Sequence, residues 1–240
     1  MKIFAHRGFS GKYPENTMLA FQEAASIHAD GIELDVHLTK DSKLVIIHDE
    51  ALLRTSGKPG MVSDYTLEEI TRISAGKTFD DKHGFTPIPS FEEYCDFIRH
   101  TDLVTNVEIK TNLYYYAQIE EKVVETLKRH HLLDQVIISS FNWLSIVRMK
   151  SIMPAMKCGL LQEGHLLQNP GLLARTMGIE CYHPDMRLTN DAIVADCKAY
   201  GVGINAWTIN TEEALQKAKA WDFESAITNF PDLGLKIVNG

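Results

Sequence analysis

Basic residues are in short supply. Across 240 residues, Lys plus Arg number 24 against 32 Asp plus Glu, a formal net charge of −8. A nucleic-acid-binding module shows a basic stripe or cluster, and none stands out here. Only four cysteines occur, Cys95, Cys158, Cys181 and Cys197, and no two of them form a C-x-x-C pair, so neither a zinc knuckle nor a dithiol motif is expected. Unpatterned cysteines in a chain of this length read as small buried hydrophobes from a reducing compartment. No apolar run approaches the roughly 18 residues of a membrane span, and the N-terminal stretch through Gly8 turns polar before a signal-peptide core forms. No G-x-G-x-x-G follows the first candidate strand, which disfavours a dinucleotide-binding fold. There is no internal repeat and no low-complexity stretch. The expectation is a soluble cytoplasmic protein with no nucleic-acid partner and no stable membrane insertion.

What is present is an alternation of strand and helix patterns. Runs rich in β-branched and apolar residues predict strands at Lys2–Ala5, Gly31–His37, Leu44–Ile47, Leu103–Ile109, Val136–Ser139, Lys157–Leu161, Ile179–Tyr182, Gly203–Thr208 and Ser225–Thr228. Amphipathic stretches between most of them predict helices, with cap signals at Ser90, Asn190 and Thr211 and a stop at Gly201. Such alternation points to βαβ units and a parallel sheet. About eight units in 240 residues fit a (β/α)8 TIM barrel, which needs roughly 250. An open doubly wound sheet is the rival. The Gly- and Pro-rich stretch from Asp49 to Pro89 breaks the rhythm and reads as an insertion over one end of a single 1–240 domain.

In a parallel barrel the active site lies at the C-terminal strand ends. His6-Arg7-Gly8 ends the first predicted strand, His48-Asp49 ends the Leu44–Ile47 run, and two pairs, Glu33 with Asp35 and Glu108 with Lys110, sit two apart near other strand ends. Residues two apart on a strand share a face. An E-x-D pair on a half-solvated strand is ordinary, but parallel strands are usually apolar throughout, so the alternation is informative here. Three carboxylates converging in a barrel repel one another unless a cation sits among them, and oxygen ligands suit Mg²⁺ or Ca²⁺ better than zinc. Two imidazoles there could act as general base and acid. Arg7 and Lys110 could attract an anion such as phosphate. Together these groups indicate phosphoryl transfer or phosphodiester hydrolysis.

The blocks carrying these residues resemble a known family. His6-Arg7-Gly8 with Pro14-Glu15-Asn16-Thr17, then Glu33 and Asp35, Thr39 to Asp41, Val45 to Asp49, Arg54-Thr55, Glu108 to Lys110, Ser140-Phe141, Ala206 to Asn210 and Ile227 to Asp232 are similar, in order, to the signatures of the glycerophosphodiester phosphodiesterases. The resemblance implies a TIM barrel with a small insertion and hydrolysis of a small-molecule glycerophosphodiester to sn-glycerol 3-phosphate and an alcohol. It implies Glu33, Asp35 and Glu108 as ligands of one divalent cation, Mg²⁺ or Ca²⁺, and His6 and His48 as the acid/base pair. It implies Arg7 and Lys110 as phosphate contacts and Trp207 as a wall against the substrate. The attacking oxygen is a water or the glycerol 2-hydroxyl. The family usually has Asp where this chain has Asn229. Two other readings are a related activity on an intact lipid, which should show an exposed apolar rim, and a non-catalytic barrel, which should have lost part of the His and carboxylate set.

Overall fold

The computed structural model describes the whole chain, Met1–Gly240. Nine strands form: β1 (Lys2–His6), β2 (Gly31–Leu38), β3 (Leu44–Ile46), β4 (Val104–Ile109), β5 (Val136–Ser140), β6 (Lys157–Gln162), β7 (Cys181–Pro184), β8 (Gly203–Ala206) and β9 (Ser225–Thr228). Eight of them run parallel in the order β1-β2-β4-β5-β6-β7-β8-β9, and β1 pairs with both β2 and β9. The sheet therefore closes on itself, and the architecture is a (β/α)8 barrel rather than an open doubly wound sheet.

The predicted strand at Leu44–Ile47 is real but is not a barrel stave. It folds back antiparallel on β2, with Val36 opposite Ile46 and Leu38 opposite Leu44. The reason lies in the link. Thr39–Lys43 is far too short for a parallel crossover, which needs a dozen or more residues. Thr39 closes the turn through its hydroxyl, which donates to Asp41 Oδ1 at 2.6 Å. The predicted strand at Ile179–Tyr182 is displaced to Cys181–Pro184, so His183 lies within β7.

Helices join the parallel strands and cover the barrel. Their starts follow the cap chemistry: Ser90, Asn190 and Thr211 accept from the backbone N–H of Glu93, Ile193 and Ala214 respectively, each cap being worth about 1 kcal/mol. Gly201, at φ +66°, ends the helix Asp191–Ala199. The main core lies between staves and helices, and Phe4, Ile137 and Ile227 form a small cluster of their own on β1, β5 and β9. Residues 49–89 carry only short helical turns, Leu53–Ser56 and Leu67–Ile70 among them. They surround a separate cluster of Val45, Ile47, Leu52, Val62, Ile70, Ala75 and Ile88. Because Val45 and Ile47 come from β3 and the residue after it, this segment is anchored to the β2 edge rather than hinged from it.

Candidate active site

The first strand ends in two left-handed residues, Arg7 at φ 55° and Gly8 at φ 77°. Only glycine adopts that conformation without cost, and Gly8 also packs so closely on Ala20 that a Cβ would stand 2.7 Å from it. Arg7 carries the strain, and its turned backbone N–H donates to Glu33 Oε2 at 3.0 Å. The next quoted block has a comparable logic. Asn16, a residue type that tolerates φ 55°, sends its backbone N–H to the Arg7 carbonyl at 2.9 Å and its side-chain amide to Asp35 Oδ2 at 2.8 Å. Thr17 then caps the helix Met18–Ser26.

Glu33, Asp35 and Glu108 come together. Asp35 sits opposite Glu108 in the β2–β4 register, and the three carboxylates each offer an oxygen such that all lie within 4.8 Å of one another. Lys110 Nζ stands 2.8 Å from Glu108 Oε1 and 3.6 Å from Asp35 Oδ1, while Arg7 Nε stands 3.3 Å from Asp35 Oδ2. Burial alone would raise Asp35, but Lys110 and Arg7 hold its carboxyl below the usual range. Burial raises Glu33 and Glu108, and the charge on Asp35 adds to both shifts. Burial opposes the charge on Lys110, yet Glu108 and Asp35 outweigh it and raise the ammonium above its ordinary value.

The two histidines face the same cavity with different partners. His6 Nδ1 and Asn229 Oδ1 lie 2.6 Å apart; the amide oxygen only accepts, so Nδ1 carries the proton and Nε2 is left as an acceptor, 3.8 Å from Glu33. Burial, and then Arg7, lower the His6 imidazole to about 3. His48 Nδ1 instead meets the Asp49 carboxylate at 2.5 Å. His48 reaches the cavity from the segment after β3, not from a stave. Buried His37, two residues beyond Asp35 on β2, holds it there: His37 Nε2 donates to the His48 carbonyl at 3.0 Å, and Tyr116 stands 3.1 Å from the other ring nitrogen.

One cavity of about 230 Å³ is lined by His6, Arg7, Glu33, His48, Glu108, Lys110 and Trp207. Seven of the eight site residues singled out in the sequence thus share it, and Asp35 lies directly behind, buried against Lys110 and Arg7. Trp207 is fixed by its indole N–H, which donates to the His183 carbonyl at 2.9 Å, and meets Phe141 edge-on at 5.5 Å. Glu50, Asn106 and Asn112 also line it and went unmarked in the sequence, and Glu163 lines it from the Gln162–Asn169 loop, a segment whose departure from the family pattern bears on head-group fit. Asn106 was open to detection, since it lies two before Glu108 on the same strand face. Asp49, Glu15 and Arg54 belong to the quoted blocks but carried no assigned role. They form one ion-pair chain, in which Arg54 bridges Asp49 (2.6 Å) and both oxygens of Glu15 (2.8 Å), and Glu15 reaches Arg7 at 2.9 Å.

The carboxylate triad has the chemistry of a hard-cation site. All three groups are buried, and Asp35 Oδ1 has no hydrogen-bond partner in the protein. An orphaned buried carboxylate oxygen beside two others is costly unless a cation completes it.

The sequence profile described as the glycerophosphoryl diester phosphodiesterase family matches residues 6–233. A glycerophosphodiester phosphodiesterase of Bacillus altitudinis is 38% identical over 240 residues, covering 98% of this chain and 97% of that one. Another, from Caldanaerobacter subterraneus subsp. tengcongensis, is 39% identical over 236 residues with the same coverages. Among solved structures, an Oleispira antarctica phosphodiesterase in complex with the product sn-glycerol-3-phosphate superimposes with a TM-score of 0.90 at 26% identity, covering 100% of this chain and 97% of that one. The residues brought to the cavity and the match along nearly the whole chain agree: the chain belongs to the glycerophosphoryl diester phosphodiesterase family.

Proposed function

We propose that this protein hydrolyses small-molecule glycerophosphodiesters to sn-glycerol 3-phosphate and an alcohol, with His6 and His48 as base and acid. The carrying observation is that two imidazoles with opposite partners, an amide and a carboxylate, face one cavity with a buried carboxylate triad. Product bound in the Oleispira antarctica relative supports the same reading.

Glu33, Asp35 and Glu108 would hold one divalent cation, Mg²⁺ or Ca²⁺. When bound, it supplies a Lewis acid that offsets charge on the phosphoryl group. Arg7 and Lys110 face the cavity as the phosphate contacts; a divalent cation at the triad would offset the carboxylates beside them and leave their N–H donors for the anion. His6 Nε2, held as an acceptor by the Nδ1–H bond to Asn229, takes the proton from the attacking oxygen as that oxygen bonds to phosphorus. His48, its ring fixed by the Nδ1 bond to the Asp49 carboxylate, gives its proton to the alcohol oxygen as the P–O bond to the head group breaks. The attacker is water in the direct route, or the glycerol 2-hydroxyl in a route through a cyclic phosphate that water then opens. Trp207 walls the substrate. The four free, buried cysteines suit a reducing, cytoplasmic setting, and no helix is long and apolar enough to cross a membrane.

A second reading, a lyase or phospholipase D-like activity on an intact lipid, for which a lysolipid is the assay substrate, has one observation in its favour. Leu113 (71% exposed), Tyr114 and Tyr115 stand on the loop after β4, and Leu113 also lines the cavity. One assay covers both. Release of glycerol 3-phosphate from glycerophosphocholine is followed in EDTA, then with Mg²⁺ or Ca²⁺ restored, with His6→Ala as the blank and lysophosphatidylcholine as a parallel substrate. Metal-dependent release from the diester, missing in the blank, is expected. Release of choline from the lysolipid alone would replace this reading with the second, and no turnover of either would overturn both.

A further inference from the structure

We infer that the mouth of the cavity selects diesters whose leaving alcohol carries a positive charge, an amino or quaternary ammonium alcohol; the inference rests on the phosphodiesterase reading and specifies its substrate. The cavity holds two kinds of charge. On the floor each cation is already matched, Arg7 by Glu15 and Asp35, and Lys110 by Glu108 and Asp35. Glu50 and Glu163 line the same cavity, yet neither has a Lys, Arg or His partner within 4.0 Å or a side-chain hydrogen bond. Arg187 is held by Asp185, whose two oxygens each accept its Nε–H at 3.0 Å.

A single solvated glutamate on a rim signifies little. Here the two come from separate segments, one two residues past His48 and one directly after β6, so β4 and β5 stand between them in the barrel order. They bracket an arc that also carries Asn112, Leu113 and Phe141. The apolar and aromatic members of that arc displace water and strengthen attraction between the carboxylates and a cation; an aromatic face adds its own pull on an ammonium. A further observation points to a ligand that donates a hydrogen bond, as a primary ammonium or a glycerol hydroxyl does and a quaternary ammonium does not. Asn106, 1% exposed, lines the same cavity, and its Oδ1 has no partner in the protein. His48 supplies the geometry of the choice. The leaving oxygen is the one it protonates, and an amino alcohol carries its charge two carbons from that oxygen, toward the rim on which Glu50 follows His48. A neutral or anionic alcohol gains nothing from these two carboxylates.

The test compares kcat/KM for glycerophosphocholine and glycerophosphoethanolamine with that for glycerophosphoglycerol, in wild type, Glu50→Gln, Glu163→Gln and the double variant. Each carboxylate is expected to contribute about threefold to the ratio, as partly screened pairs do, so wild type should favour the cationic substrates about tenfold and the double variant about equally. Raising the ionic strength should shrink the wild-type preference. Charge reversal by Glu163→Lys should shift the ratio toward the neutral diester. Equal kcat/KM for all three diesters in wild type, or an equal loss on all of them in the double variant, would overturn the inference and leave the phosphodiesterase reading standing. No hydrolysis of any diester would overturn both.

Discussion

Asp49→Asn separates a general acid at His48 from a histidine that merely lines the cavity. Asp49 spends one oxygen on His48 Nδ1 at 2.5 Å and the other on Arg54 Nε at 2.6 Å, and Arg54 also reaches the first oxygen at 3.0 Å. Asparagine keeps the shape but offers one acceptor to two donors, so its NH₂ faces either the imidazole or the guanidinium. It also removes a charge beside the imidazolium. At a charge separation of about 4 Å that attraction is worth about 1 kcal/mol in water and about 4 kcal/mol at an effective dielectric of 20. The pair is half-buried, so about 2–3 kcal/mol is expected, which lowers kcat about a hundredfold at about 1.4 kcal/mol per decade. KM should change little, because the phosphate contacts are on other residues. The decisive assay uses two substrates. With glycerophosphocholine the leaving alkoxide needs a proton, and the full loss should appear. With a nitrophenyl ester of glycerol 3-phosphate the leaving group departs as a stable anion, and the loss should shrink to a few-fold. An equal loss on both would refute the assignment of His48 as the acid.

Three other outcomes are expected. Glu33→Gln should weaken cation binding and activity together, while wild type with Mg²⁺ or Ca²⁺ at a hundredfold its dissociation constant should gain about 2.7 kcal/mol over the EDTA-treated protein in thermal unfolding; a variant as cation-responsive as wild type would remove Glu33 from the ligand set. Asn229→Ala should cut kcat at least tenfold by freeing His6 Nδ1, and Asn229→Asp, which restores an acceptor, should recover it; wild-type kcat in the alanine variant would refute the positioning role. His183 bears on acid stability: it is fully buried, burial and then Lys157 lower its imidazole to about 3, and its Nε2 accepts from Asn205 at 2.9 Å. Because the unfolded chain binds that proton near pH 6.5 and the folded one does not, its contribution is intact above about 6.5 and is lost toward 3, at about 1.4 kcal/mol per pH unit. Melting curves from pH 7 to 4.5 should therefore be flatter for His183→Gln than for wild type, and parallel curves would refute the assignment.

The barrel was readable because its signals are local. Each stave is a short apolar run, each helix start carries its own cap, and the two-residue repeat of a strand alone puts Glu33 with Asp35 and Glu108 with Lys110 on inward faces. What escaped depends on residues distant in sequence or on backbone turns with no compositional mark. Arg54 and Glu15 meet across 39 residues, and no periodicity links them. The antiparallel return of β3 follows from the length of its link rather than from its own apolar content. His37 reads as one polar residue in an apolar strand, yet it holds the carbonyl of His48. Among the resemblance blocks, some supply scaffolding: Asn210 accepts the backbone N–H of Asn229 at 2.9 Å, and Asn229 in turn orients His6. Gly159 makes room of another kind, for a Cβ there would stand 2.3 Å from His183 Nε2.

The ion-pair chain explains why the site carries so many charged residues. From His48 it runs through Asp49, Arg54, Glu15, Arg7, Asp35 and Lys110 to Glu108, alternating in sign along its length. Alternation lets buried charges stabilise one another where any one alone would be expelled or neutralised. Beyond His48 the fixed charges begin at Asp49 and end at Glu108, both carboxylates, and Glu33 stands beside Glu108, so five carboxylates face three fixed cations. Without further positive charge, Glu33 and Glu108 are driven toward their neutral forms, the direction in which burial and Asp35 push them. The surplus of two negative charges is what one divalent ion at the triad would offset, and at the opposite end Asp49 fixes the His48 ring through Nδ1. On the proposed reading, the network that fixes Arg7 thus joins the cation site to the ring of the acid, at the two ends of one chain of charges. Arg54, which does not line the cavity, is the link that joins those two ends.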